Sequence, residues 1–167
     1  MYRTVDDFLK SWDHEFKATE RVFDALTDKS LSQPVATGHR TLGRIAWHVV
    51  TTIPEMMNRT GLKISGPNPN SLAPSSVAAI RGGYTQAGES LIAQMKANWK
   101  DASLLGEDDM YGEKWLRGVT VTALLLHQAH HRGEMFVLIR QAGLRPPGIY
   151  GPTMEEWAQF GMPAPPV

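Results

Sequence analysis

The sequence predicts an all-α protein, a four-helix bundle with long connecting loops. Three observations support this fold class. Apolar residues recur at spacings of three and four in four separate segments. Stretches rich in Gly, Pro, Ser and Asn lie between these segments. No segment alternates apolar and polar residues over a useful length. At 167 residues, we expect a single domain over 1–167.

The first two helices are predicted over residues 5–26 and from Thr41 to about residue 57. The apolar stripe of the first is Val5, Phe8, Leu9, Trp12, Phe16, Phe23 and Leu26. Thr41 is a suitable N-cap, because its hydroxyl can accept from a free N–H of the first turn. Pro54 lies inside the second helix and lacks an N–H, so we expect a kink or an early end there.

The second half of the chain predicts two more long helices. "GLKISGPNPNSLAPSS" indicates a long loop, after which helices are predicted over about 75–99 and 119–142. Gly143 and the following "RPPG" suit the end of the last helix. Residues 100–118 are expected to be irregular, and a short helix is predicted over 154–160.

The composition excludes several classes of protein. Seventeen basic and seventeen acidic residues give a net charge of zero, so no basic surface for nucleic acid or an anionic membrane is expected. There is no cysteine, and a metal site would therefore have to use histidine, carboxylate and water. Without an apolar leader or membrane-spanning segment, we expect a cytoplasmic protein.

The segment "LLLHQAHHRGEM" holds three of the six histidines. His127 and His131 are four residues apart, so on a helix both rings face the same side and can bind one ion. His130 is the less usual partner for His127. His48, in "RIAWHVVTT", is expected in the bundle interior or at its mouth. The alternative for each is a core histidine bonded to a neighbouring carbonyl, and a pair alone binds no metal tightly.

Two segments resemble a known family. The first is "LLLHQAHHRGEMFVLIRQAGLRPP", which is similar to the last-helix motif of the DinB-like proteins (DinB/YfiT superfamily), a group of metal-dependent enzymes. The usual form of that motif is His-x-x-x-His-Arg-Gly-Gln. "TLGRIAWHVV" resembles their second-helix segment. The resemblance covers nearly the whole chain and implies a homodimer with one divalent metal ion held by His48, His127 and His131. Glu134 replaces the family's frequent glutamine. We expect Glu134 to orient a ligand histidine, with a direct ligand or an ion-pair partner as the alternatives.

Three histidines and no anionic ligand leave a coordination position open, which favours reactivity over a structural role. The resemblance implies a transferase that uses a low-molecular-weight thiol such as mycothiol, bacillithiol or glutathione. The alternatives are a metal-dependent hydrolase and a non-enzymatic metal- or ligand-binding module. The partner is expected to be a small-molecule substrate. Zinc or nickel is favoured, and iron or cobalt also suits three histidines. Glu134 and Arg132 are the predicted catalytic residues, and Trp115 is the predicted cofactor-binding residue.

Overall fold

A computed structural model describes residues 2–166, and it confirms the four-helix bundle. The helices are α1 (Val5–Asp24), α2 (Leu42–Met57), α3 (Val77–Asn98) and α4 (Arg117–Gln141). α2 packs on α3 and α4, and α1 packs on the same two helices from the other side. The consecutive helices α1 and α2 are therefore diagonal to each other, which the long connection over 25–41 allows.

The predicted starts and stops of the helices are largely correct. Thr41 caps α2, since its hydroxyl accepts from the Arg44 N–H at 3.2 Å. Gly143 follows the end of α4 with a φ of 76°, the left-handed conformation that glycine adopts without strain. The early end expected at Pro54 is wrong: α2 continues to Met57. Pro54 lies in the last turn, so it disrupts one turn only, and burial of Met57 stabilises that turn.

Residues 100–118 are not irregular, contrary to the expectation from the sequence. A 3-10 turn over Asp101–Leu105 leads into an antiparallel hairpin of β1 (Glu107–Met110) and β2 (Glu113–Leu116). Tyr111 and Gly112 form its two-residue loop, with φ of 62° and 89°. Positive φ at both positions is the mark of a type I′ turn, whose twist matches that of the two strands.

The C-terminal segment also differs from the prediction. In place of a helix over 154–160, one 3-10 turn spans Trp157–Phe160. Arg140 of α4 binds both carboxylate oxygens of Glu155, at 2.6 and 2.9 Å, and so holds this segment to the bundle. None of the helices within residues 2–166 combines the length and apolar character that crossing a bilayer requires.

The bundle core is apolar and continuous, and it includes side chains of all four helices. The largest fully buried side chains are Trp12, Tyr84, Phe8, Phe23, Leu42, Ile45, Ile53, Met57, Ile80, Leu91, Met95 and Met110. Few polar side chains are buried among them, and two of these are His131 and Gln128 of α4. Because buried polar groups need partners, these positions locate the site.

Candidate metal centre

The structure brings His48 of α2 together with His127 and His131 of α4. The Nε2 atom of His127 lies 3.2 Å from Nε2 of His48 and 3.1 Å from Nε2 of His131. The three ring centroids are 4.4 to 4.9 Å apart. His131 is buried and the other two rings are half-buried. We call these three residues the histidine triad.

Hydrogen bonds on the far side of two rings orient the Nε2 atoms towards the centre of the triad. His131 Nδ1 lies 2.6 Å from Glu134 Oε2. An ionised carboxylate only accepts, so His131 donates from Nδ1, and its Nε2 lone pair faces the other histidines. Nδ1 of His48 lies 3.5 Å from the Thr52 hydroxyl, which itself donates to the His48 carbonyl oxygen. This longer contact favours the same orientation for His48.

The triad has the geometry of a metal-binding site. Zinc–nitrogen bonds of about 2.0–2.1 Å in a tetrahedral arrangement separate ligand nitrogens by roughly 3.3 Å, close to the separations of 3.1 and 3.2 Å found here. His127 Nδ1 is buried without a hydrogen-bond partner, so His127 depends on its Nε2 for a favourable interaction. Within residues 2–166, no carboxylate or fourth histidine belongs to this cluster. The histidine triad can thus hold one ion and leave a position open.

The surroundings keep two of the three rings neutral. Burial, and then the nearby charge of a protonated His131, lowers the pKa of both His48 and His127 to about 4. For His48, the guanidinium groups of Arg40 and Arg44 lower the pKa further. Neutral imidazole is the form that binds a metal, so both rings are in the competent state at neutral pH.

Glu134 interacts with histidine rings rather than with the centre of the triad. Its second oxygen lies 3.4 Å from Nε2 of the exposed His130. Burial alone would raise the pKa of Glu134, but the His131 hydrogen bond and nearby positive charge outweigh it and lower the pKa. The carboxylate is therefore ionised at neutral pH and can stabilise positive charge on His131. His130 points outward and does not belong to the triad.

A buried amide that sequence patterns did not single out fixes the spacing of α2 and α4 beside the triad. Gln128 Nε2 donates to the Val49 carbonyl oxygen at 3.0 Å, and the Tyr84 hydroxyl donates to Gln128 Oε1 at 3.1 Å. Gln128 follows His127 and Val49 follows His48, so this bond joins the two helices next to two of the ligands. The sequence gives no local signal for this role, because Gln128 stands among the polar residues His127, His130 and His131.

Arg132, a predicted catalytic residue, faces α1 instead of the triad. Its guanidinium donates to the Glu15 carbonyl oxygen at 3.0 Å and to the Thr19 hydroxyl at 2.9 Å. It also pairs with the Glu15 carboxylate and contacts the Tyr150 hydroxyl. Only 3% of the Arg132 side chain is exposed. These contacts give Arg132 a role in joining α1, α4 and the C-terminal segment, and its catalytic role stays a prediction.

Trp115, the predicted cofactor-binding residue, lies in the hairpin. Its Nε1 donates to Glu113 at 2.9 Å, and its ring packs edge-on against Tyr111. Tyr111 in turn donates to Glu55 of α2 at 2.6 Å. Glu55 is two helical turns beyond His48 on the same side of α2, so the hairpin is fastened near the triad. None of these contacts reaches a triad ring, and cofactor binding by Trp115 stays a prediction.

An apolar cavity lies on the other side of α4. It has a volume of about 390 Å³, and its walls include Arg132, Phe136, Ile149 and Tyr150. No triad residue lines it. This cavity is therefore separate from the candidate metal centre.

Comparisons with known proteins agree with this structure. The model of the DinB family matches residues 1–164. An uncharacterized protein, YrdA of Bacillus subtilis (strain 168), is 43% identical over 165 residues, which cover 99% of both chains. The crystal structure of a DinB-like protein from Bacillus cereus ATCC 10987 is 43% identical, with a TM-score of 0.87 over 90% of this chain and 100% of that one. A second DinB-like structure, YjoA of Bacillus subtilis, shares the fold at 17% identity, with a TM-score of 0.55 over 81% of this chain and 88% of that one. The chain belongs to the DinB family.

Proposed function

We propose that the protein is a metal-dependent transferase that uses a low-molecular-weight thiol. The observation that carries this proposal is the convergence of three Nε2 atoms, with separations of 3.1 and 3.2 Å, and no fourth protein ligand among residues 2–166. Structural metal sites are usually closed by four protein ligands, whereas catalytic sites keep a position for water or substrate. An open three-histidine site supports reactivity.

When bound, a divalent cation would supply a Lewis acid that favours the anionic form of an external thiol and so makes it a stronger nucleophile. The chain itself has no cysteine, which is consistent with a thiol delivered by a small molecule. His48, His127 and His131 would hold the cation, and neutral ligands would leave its charge largely undiminished. Glu134 keeps His131 in one orientation and tautomer. Glu134 is also a carboxylate that can accept a proton at the edge of the triad.

The first test is the metal content of the protein, purified without a histidine tag or chelator, by elemental analysis. We expect about one ion per chain, and loss of that ion in His48→Ala and His127→Ala. His130→Ala is the matched control, because it removes a histidine of the same helix from outside the triad. No bound ion after incubation with zinc or nickel, or equal loss in the control, would refute the proposed site.

A second test separates the transferase from the alternatives. The metal-loaded protein is assayed for consumption of glutathione, bacillithiol and mycothiol with a panel of electrophiles, and for hydrolysis of ester and amide substrates without thiol. Thiol-dependent turnover that His127→Ala abolishes supports the transferase. Turnover without thiol supports a hydrolase. Stoichiometric metal without turnover of either kind supports a binding module.

We also propose a homodimer acting on a small molecule in the cytoplasm, where low-molecular-weight thiols are kept reduced. Three apolar side chains of α4 are exposed in a single row along the helix. They are Val119, Leu126 and Val137, which are 42%, 66% and 58% exposed. A row of this kind is what a second copy would cover. Light scattering should give the mass of a dimer for the natural chain and of a monomer for Leu126→Glu. A monomeric natural chain would refute the dimer.

A further inference from the structure

We propose that Arg44 and Arg40 form an anion-binding subsite beside the histidine triad, so that the substrate or thiol carries a carboxylate or phosphate group. This inference rests on the proposed function, which identifies the triad as a metal site that binds a thiol or substrate. The subsite would bind the part of that ligand that does not contact the metal. The proposal assigns a specificity role to two residues that the triad itself does not require.

The position of Arg44 is fixed by α2. It precedes His48 by four residues, which places both side chains on the same side of the helix, one turn apart. The first turn is held by the Thr41 cap. Arg44 Nη1 is buried and has no hydrogen-bond partner. A buried guanidinium donor without an acceptor is costly, and an oxyanion beside the triad would supply that acceptor.

Arg40 lies just before the same helix, in a short segment with a defined backbone. The Val35 N–H donates to the Arg40 carbonyl oxygen at 2.9 Å, and Pro34 and Thr41 form an isolated antiparallel bridge. Arg40 directly precedes the Thr41 cap, so it lies at the same end of α2 as Arg44. The Arg40 side chain is exposed, and its positive charge lowers the pKa of both His48 and Glu134.

The acidic residues around the triad are already engaged, whereas these two arginines are not. Glu134 is bonded to His131, and Glu55 is bonded to Arg59 and Tyr111. Across residues 2–166, neither Arg40 nor Arg44 forms an ion pair or a side-chain hydrogen bond. A divalent cation in the triad would add two further positive charges. A site with this charge balance attracts anions, and guanidinium groups fit carboxylate and phosphate oxygens.

The test uses cobalt-loaded protein, whose visible absorption reports ligand binding at the metal. It is titrated at low salt with 3-mercaptopropionate and with 3-mercapto-1-propanol, which differ in the carboxylate. We expect the acid to bind about tenfold more tightly, the effect of a charge-assisted hydrogen-bonded pair, and this preference to fall with added salt. Arg44→Gln and Arg40→Gln should each reduce the preference, and Arg44→Lys should retain part of it. Arg81→Gln, which removes an arginine paired with Asp24 elsewhere on the surface, is the control and should retain all of it.

Separate titrations with malonate and inorganic phosphate, followed by calorimetry, distinguish the possible failures. If the anions bind in an arginine-dependent manner and neither thiol binds, the subsite stands and the thiol proposal fails. If both thiols bind equally in the natural chain, the subsite is overturned and the thiol proposal stands. The metal content of every variant is measured alongside. If Arg44→Gln loses its metal, the result is decided by the Arg40→Gln variant and by the effect of added salt. If neither of these reduces the preference for 3-mercaptopropionate, the subsite is overturned. The tighter of malonate and phosphate identifies the favoured oxyanion.

Discussion

Replacing Glu134 with glutamine tests how the chain controls its candidate metal centre. The substitution keeps an oxygen acceptor of the same size for His131 Nδ1 and removes only the negative charge. The bond it weakens is 2.6 Å long, between a His131 side chain that is 8% exposed and a Glu134 side chain that is 41% exposed. A hydrogen bond to a charged group contributes about 1.5–3 kcal/mol, and solvent screening at Glu134 favours the lower end of that range.

A loss of about 1.5 kcal/mol corresponds to roughly tenfold weaker metal binding, within the range of about 10–100-fold typical of residues that orient metal ligands. The assay is competition for zinc between the protein and a chromophoric chelator at pH 7. Glu155→Gln is the matched control, because it removes the same charge where Glu155 pairs with Arg140, away from the triad. We expect the control to bind zinc like the natural chain.

Two results would refute this reasoning about Glu134. Unchanged affinity in Glu134→Gln would mean that the His131 contact does not stabilise the metal-bound state. A loss of the metal as complete as that in His127→Ala would mean that Glu134 coordinates the ion directly, and the site would then contain a protein anion. In that case the argument for an open, strongly Lewis-acidic centre would no longer hold.

Three further outcomes concern the stability of the fold. Since the pKa of His127 in the fold is about 4, below the unfolded value near 6.5, its contribution to stability is complete above pH 6.5 and is lost as the pH falls towards 4. After allowance for solvent screening, this contribution is about 1–2 kcal/mol. Urea unfolding at pH 7 and pH 5 should show that the free energy of unfolding falls less on acidification in His127→Gln than in the natural chain. An equal fall in the two proteins would contradict this prediction. Arg132→Met should lower the free energy of unfolding by about 3 kcal/mol, because it leaves a partly buried carboxylate of α1 without its ion-pair partner. The metal content should not change. Unchanged stability together with lost turnover would instead support the predicted catalytic role of Arg132. Gly88→Ala should lower the melting temperature at a cost of about 1–3 kcal/mol, since a Cβ there collides with the Phe16 ring. Gly82→Ala is the control, because a Cβ there meets open space, and it should be neutral or stabilising by up to about 1 kcal/mol. Similar melting temperatures for the two variants would show that the Phe16 ring can move to accommodate a Cβ at position 88.

The helices were predictable because each one buries a stripe with a period near 3.6 residues. The hairpin was not, since its strands have four residues each and most of these are charged or exposed. Its formation depends on the turn at Tyr111 and Gly112, where a non-glycine residue adopts a positive φ. Sequence patterns favour glycine, asparagine or aspartate at such a position, so tyrosine gave no signal there.

The candidate site was predictable only where its residues share a helix. The spacing of four between His127 and His131, and of three between His131 and Glu134, places these side chains together on any helix. The sequence itself indicates an interior position for His48, but the grouping of His48 with His127 and His131 came from the resemblance to the family, because no local spacing connects residues 79 positions apart. Arg44 was missed for the same reason. Arg44 is one turn from His48, but it lies beside a metal site only because α4 packs against α2.

The faces of α4 separate the metal centre from the interactions that hold the helix in place. His127 and His131 face α2, Arg132 faces α1, and Leu126 is exposed. A residue such as Arg132 can therefore be important for folding without touching the reacting groups. Gln128 is the exception, because its bond to α2 lies beside the ligands and the triad requires α2 and α4 to be correctly spaced. Metal affinity and the packing of these two helices should consequently be coupled, whereas affinity and the α1 contacts of Arg132 should vary independently.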